Sequence, residues 1–152
     1  MSPVHPFRFG VMIHSGSTRQ ALVDTARRVE ALGYSTFLLP DHLDQPVSAL
    51  PALAVAAEVT TQVRLGTFVL ANDFRNPVLL ARDVATLDVL SDGRFELGLG
   101  AGWRQGEYAQ AGIPYDAAPV RINRLAESLQ VLAGCCGDGP YAFAGEYYTV
   151  AE

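Results

Sequence analysis

Hydrophobic and polar positions along this chain repeat one alternation, a short apolar run followed by an apolar stripe at helical spacing. The runs are Phe7 to Ile13, Thr36 to Pro40, Arg64 to Leu70 and Arg94 to Gly100. Their starts lie roughly 30 residues apart, the length of one strand–helix–strand repeat. Ala21 to Leu32 places Leu22, Ala26, Val29 and Leu32 on one helical face, with Gly33 as its stop. Pro51 to Thr60 turns Leu53, Ala54 and Ala57 inward after a proline suited to a first helical turn. Asn76-Pro77 opens a third helix with Leu80, Val84 and Leu87 as its stripe. Pro119 to Leu132 forms a fourth, with Ile122, Leu125, Ala126, Leu129 and Leu132 at helical spacing. Beyond it, Ala133 to Pro140 reads as a loop and Tyr141 to Val150 as a hairpin-like extended piece around Ala144-Gly145.

Strands alternating with helices through short joints imply parallel pairing and right-handed crossovers, so the fold class is α/β. An open dinucleotide-binding sheet and a (β/α) barrel both satisfy that alternation. The most informative joint runs from Leu87 to Trp103. Ser91-Asp92-Gly93 ends a helix with a residue free to take a left-handed backbone, Phe95, Leu97 and Leu99 supply a strand, and Gly98, Gly100 and Gly102 remove bulk where a ligand approaches. Trp103 occupies the place of the third glycine in G-x-G-x-x-G, and no such fingerprint follows the first strand, which disfavours the dinucleotide fold. Four strand–helix units make half of an eight-stranded barrel and leave the first and last strands as unpaired edges.

The 152 residues are 49% hydrophobic and 18% charged, enough for one folded domain with a core. A net charge of −5 and the lack of any lysine- or arginine-rich run argue against nucleic acid or an anionic membrane as partner, leaving small molecules. Apolar stretches are broken by charges well before the roughly 18 residues of a membrane span, and Met1 to Gly10 lacks a signal-like segment, so the expectation is a cytoplasmic protein. Cys135 and Cys136, the only cysteines, are adjacent and match no disulfide framework or zinc spacing. The chain carries no H-E-x-x-H, Walker loop or G-x-S-x-G elbow, which removes the corresponding hydrolase readings.

In a parallel α/β protein the chemistry sits just past the strand C-termini. That position selects His14-Ser15-Gly16, Asp41-His42, Ala71-Asn72-Asp73, and Gly102-Trp103 through Glu107. His42 is a candidate because an imidazole titrates near neutrality and can take or return a proton, or else it fills a polar mouth without chemistry while Asp41 caps the turn. Asp41 either orients that ring or holds the loop. His14 faces the mouth in register, or is a satisfied loop residue; His5 precedes the first strand and reads as surface. Trp103 offers an apolar wall for a ring or packs beneath a neighbouring loop. Arg94 starts a strand, on the stability face, and reads as structural.

Several ordered stretches resemble the luciferase-like monooxygenase family, in particular the N-terminal half of its deazaflavin-dependent oxidoreductase branch. They are Glu30-Ala31-Leu32-Gly33-Tyr34 leading into Leu39-Pro40-Asp41-His42-Leu43; Thr60 to Thr67; Arg75-Asn76-Pro77 with Leu80-Ala81-Arg82; Thr86 to Arg94 continuing through Gly98 to Trp103 and Glu107; and Phe143 to Tyr148. The resemblance implies a (β/α)8 TIM-barrel type fold, of which residues 1–152 hold only the first four βα units, a half-barrel with 133–152 as its loop and extended segment. Family members are about twice this length. The chain is accordingly expected to be a fragment of a longer protein, or a shortened form that pairs with another half or self-associates as a homo-oligomer.

The resemblance also implies coenzyme F420, a deazaflavin, as cofactor, with FMN as the alternative. It places Asp41 and His42 at the cofactor face as the catalytic pair. A bulge near Leu70, Ala71 and Asn72, together with Gly102 and Trp103, would support the cofactor ring. Glu107 matches a glutamate common in the family, which either ties the loop or acts as an acid. The family's sugar-phosphate dehydrogenases carry a carboxylate in the register of Trp103, so a glucose-6-phosphate-type reaction is disfavoured. The implied activity is hydride transfer between a deazaflavin and a small organic substrate. The alternatives are an FMN-dependent monooxygenase and a non-catalytic half-barrel acting by self-association.

Overall fold

The computed structural model describes residues 7–14 and 16–151, so the readings of His5 and Ser15 fall outside the described residues. Strands β1 (Gly10–Met12), β2 (Thr36–Leu39), β3 (Arg64–Thr67) and β5 (Phe95–Glu96) form one parallel sheet in the order β1-β2-β3-β5. Phe37, Leu39, Leu65 and Phe95 pack on Leu22, Ala26 and Val29 of α1 (Arg19–Ala31), Leu53, Ala56 and Ala57 of α2 (Ala49–Val59), and Leu80, Ala81 and Leu87 of α3 (Pro77–Leu90). Thr36, Leu38 and Leu97 line an open hollow of about 680 Å³ on the sheet's other side.

The helix ends follow the local chemistry. Thr18 caps α1 by accepting from the Ala21 amide at 3.2 Å, and Asn76 caps α3 by accepting from Val78 at 2.9 Å with Pro77 in the first turn. Gly93 closes the α3 end with φ +74°, as expected. Leu32, expected on the buried face of α1, stands at its C-cap and is exposed.

Two of the four expected strands are broken. The run from Arg64 continues past β3 as β4 (Leu70–Ala71), and the run from Arg94 continues past β5 as β6 (Leu99–Gly100), with β4 and β6 paired as a second parallel ladder. Gly66 pairs with Glu96, but Leu70 pairs with Leu99, so the first side carries one residue more than the second between the two ladders. This is a bulge, and it turns Phe68 and Val69 out of the sheet. The Thr67 hydroxyl fills the interrupted ladder, donating to the Gly98 carbonyl at 2.8 Å and accepting from the Gly98 amide at 3.0 Å. A Cβ on Gly98 would stand 2.1 Å from the Thr67 carbonyl oxygen, so only glycine fits there. The irregularity thus lies at Phe68–Val69, joined by a cis peptide, ahead of the expected Leu70 to Asn72.

The segment after Trp103, expected as a loop, forms α4 (Gln105–Ala111). The last helix, α5 (Ala118–Cys135), runs three residues past Leu132 and carries both cysteines at its end. Its buried line is Arg121, Ser128, Val131 and Leu132, whereas Ile122 and Leu129 of the expected stripe are exposed. The tail forms the expected hairpin, β7 (Phe143–Ala144) antiparallel to β8 (Thr149–Val150). Among the described residues no helix is long and apolar enough to cross a membrane.

Candidate functional site

The C-terminal ends of β2, β4 and β6 converge with α4 around a cleft of about 410 Å³. Asp41, His42, Leu70, Ala71, Gly102, Trp103 and Glu107 border it, together with Phe68, Val69, Phe74, Arg104 and Tyr108. Asn72 and His14 do not. Asn72 is buried behind the cleft and donates from Nδ2 to the Tyr148 hydroxyl at 3.2 Å; His14 lies outside it, with Nδ1 3.1 Å from Gln45 Oε1.

Asp41 follows β2 immediately after Pro40, and its carboxylate does not touch His42. It takes both guanidinium nitrogens of Arg75, at 2.5 and 2.7 Å, and the Ala71 amide at 3.2 Å. This planar fork ties the end of β2 to the end of β4 and to the chain entering α3. These contacts tie the loop and leave the His42 ring to another partner.

The ring is oriented by Glu107, 65 residues away. His42 Nδ1 lies 3.1 and 3.2 Å from the two Glu107 oxygens, and the same carboxylate accepts from the Leu43 amide and from Arg104 Nη1, each at 3.0 Å. An ionised carboxylate only accepts, so the pair requires a proton on Nδ1 and leaves Nε2 as the atom able to take or release another. Trp103 meets the imidazole edge-on with ring centroids 6.0 Å apart. Arg104 also reaches Asp44 at 3.0 Å, and that partnership raises its pKa further through hydrogen bonds to Asp44 and Glu107.

The floor beneath Trp103 is a polar network. Asp73, 1% exposed at its side chain, takes Arg124 Nη1 at 3.0 Å and the Tyr108 hydroxyl at 3.1 Å; Arg124 also holds Asp116. Burial and the facing Asp73 carboxylate push the Tyr108 phenol well above its ordinary range, so it remains a hydrogen-bond donor. Gly102 sits on that hydroxyl with φ +76°, and a Cβ there would lie 1.9 Å from the oxygen. Only glycine carries the chain over Tyr108 into Trp103.

Arg75 and Arg104 fell within the stretches Arg75-Asn76-Pro77 and Gly102 through Glu107 without a role of their own, and Tyr108 and the outward pair Phe68-Val69 were not singled out. Arg75 stood just before the helix-opening Asn76-Pro77, and its charge beside an N-cap was the one local signal available. Tyr108 adjoins Glu107 in a segment that carries no long periodic pattern.

The family model described as luciferase-like monooxygenase matches residues 1–152. An F420-dependent glucose-6-phosphate dehydrogenase of Intrasporangium calvum is 36% identical over 142 residues, covering 86% of this chain and 42% of that protein. A solved F420-dependent secondary alcohol dehydrogenase in complex with an F420–acetone adduct superposes with a TM-score of 0.82 at 26% identity, over 94% of this chain and 46% of that one. The oxygenating constituent of 3,6-diketocamphane monooxygenase from Pseudomonas putida, solved with FMN, shares the fold with a TM-score of 0.81 at 20% identity, over 94% and 43%. The chain spans about half the length of the curated relatives it matches.

Proposed function

The chain belongs to the luciferase-like monooxygenase family, and from that premise we propose that its cleft serves an oxidoreductase moving hydride between coenzyme F420 and a small organic substrate. The observation that carries this reading is the pairing of His42 with Glu107 beside an open, largely apolar cleft. The cleft suits a flat ring. Leu70, Ala71 and Gly100 to Gly102 present backbone and little side-chain bulk, while Phe68, Val69 and Trp103 add exposed apolar surface. Leu70, Ala71 and Gly100 to Gly102 would hold the deazaflavin, which when bound supplies a two-electron hydride acceptor and donor.

The protein's own part is proton movement and positioning. Glu107 holds His42 through Nδ1, so Nε2 takes the hydroxyl proton of an alcohol or returns one to a carbonyl oxygen. Asp41 acts on the architecture through Arg75 and the Ala71 amide, keeping the His42 loop at a fixed distance from the ring-binding wall. Asn72, next in sequence to Ala71, ties this stretch to the Tyr148 hydroxyl. The proposal extends to architecture: the four-stranded sheet is one half of a (β/α)8 barrel, a reading supported by the open hollow on its helix-free side and by the share of the relatives' length that it spans.

Titrating the protein with F420 and separately with FMN, followed by cofactor fluorescence, is expected to give saturable F420 binding. Tight FMN binding without F420 binding would replace this reading with a flavin-dependent monooxygenase. In the active protein, His42→Ala lowers turnover by roughly 10²–10⁴-fold with little change in cofactor affinity; unchanged turnover removes His42 from the proton-transfer role.

A further inference from the structure

We infer that the substrate taken by this site is an uncharged alcohol or carbonyl compound with a hydrocarbon arm, and that Trp103 selects it by packing that arm on the indole. The inference rests on the cleft's being the substrate site, as proposed above, and not on which cofactor shares it.

Trp103 stands 70% exposed at the rim, next to the ring whose Nε2 is the proton-transfer atom. Its backbone is anchored on both sides. The Trp103 carbonyl accepts from the Tyr115 hydroxyl at 3.0 Å, and Gly102 rests on the Tyr108 hydroxyl that Asp73 holds from below. A fixed main chain presenting a free indole to solvent is the arrangement of a contact surface, and Phe68 and Val69, 59% and 42% exposed, extend the apolar area across the same cleft.

Charge argues in the same direction. Among the described residues, Arg104 at the cleft is held between Asp44 and Glu107, and Arg75 behind it gives both terminal nitrogens to Asp41. Each guanidinium is already matched, and the surrounding carboxylates outnumber them. Arg104 meets both carboxylates through Nη1 alone, so a phosphate or carboxylate entering beside His42 finds cations whose charge carboxylates already offset and meets those carboxylates as like charges. An uncharged oxygen needs only the imidazole, and its hydrocarbon arm gains the indole face.

Trp103 is the only tryptophan, so its emission reports directly on the proposed contact. The protein is titrated with cyclohexanone, cyclohexanecarboxylate and glucose 6-phosphate while Trp103 emission is read. The expected result is a saturable change with cyclohexanone and binding of both anions weaker by at least about tenfold. By calorimetry, Trp103→Ala weakens cyclohexanone binding by about tenfold, while Trp103→Phe retains most of it, with circular dichroism checking that both variants fold. Three results overturn the inference: an anion bound as tightly as the ketone, no saturable response to the ketone, or Trp103→Ala binding like the parent. A parallel F420 titration separates the two claims. Loss of F420 binding with ketone selectivity intact removes the cofactor reading alone, and F420 binding without ketone selectivity removes this inference alone.

Discussion

The two ends of the sheet use the same side-chain types in opposite ways. At the N-terminal end, Arg94 gives its guanidinium to main-chain carbonyls of Ala57, Thr60, Val63 and Ser91 and to the Thr60 hydroxyl, at 2.7–3.1 Å. Glu30 there accepts from three consecutive amides, those of Thr61, Gln62 and Val63. At the C-terminal end, arginine and glutamate turn mainly to other side chains: Arg75 to Asp41, and Glu107 to His42 and Arg104 besides the one Leu43 amide. A charge bound to main chain serves to define a turn. A charge bound to an imidazole sets which of its nitrogens can carry a second proton, and that is the difference between a clamp and a site.

The largest effect that would test this contrast is on stability. Arg94→Met leaves several main-chain carbonyls at the start of β3 and the end of α2 and α3 without their donor. The expected cost is on the order of 3 kcal/mol, read as a lower urea midpoint at unchanged m-value. Ligand binding at the far end of the sheet, measured where the variant is still folded, should keep its affinity. Loss of binding with no loss of stability would erase the division between the two ends.

Legibility in the sequence divides along the same line. Arg94 was identifiable as structural because its position, just after a helix stop and at the start of a strand, already places it at the stable end. Asp41, His42 and Trp103 were identifiable as rim residues for the same positional reason, and all three border the cleft. The partners were not identifiable, because Arg75 lies 34 residues from Asp41 and Glu107 lies 65 from His42, and no local pattern joins them. The bulge escaped for a related reason: a one-residue slip between Gly66–Glu96 and Leu70–Leu99 is a property of two strands together, and each run alone reads as continuous. The apolar stripe at helical spacing on α5 does not coincide with its buried line, since Ile122 and Leu129 are exposed. Its buried line instead includes Arg121, whose guanidinium lies over the Tyr115 ring 4.1 Å from its centroid and bonds the Asp116 carbonyl, so a satisfied polar residue occupies the inner position.

A smaller effect, dependent on pH, isolates the main-chain clamp from the arginine beside it. Burial works to raise the Glu30 pKa, but the Val63, Gln62 and Thr61 amides and the nearby Arg94 outweigh it and hold the carboxyl below its ordinary range. A carboxylate depressed in the folded state stabilises fully above its unfolded pKa, and the contribution fades as pH falls through the folded value. Glu30→Gln should therefore cost about 1–2 kcal/mol at neutral pH, with the gap to the parent closing in acid. A gap that stays constant down to the acid transition would mean that shape at Glu30, and not its charge, sets the turn before β3.

The smallest effect sharpens the comparison by moving the same device to the hairpin outside the main sheet. Glu127 of α5 accepts from the amides of Glu146, Tyr147 and Tyr148 at 2.7–3.1 Å, repeating at the hairpin turn what Glu30 does before β3. Desolvation opposes the shift, yet the three amides again hold the carboxyl below its ordinary range. The turn it holds belongs to a separate two-stranded hairpin outside the four-stranded sheet, so Glu127→Ala should leave the unfolding midpoint nearly unchanged. The consequence should be local: faster hydrogen exchange at the amides of residues 146–148 than in the parent at the same pH, with exchange in β2 and β3 unaffected. The difference should vanish when both proteins are compared at a pH low enough to protonate Glu127. If exchange instead rises across α5 and the Asp73–Arg124 contact as well, the hairpin clamp is coupled to the floor under Trp103, and the β7–β8 turn belongs with the site end of the molecule.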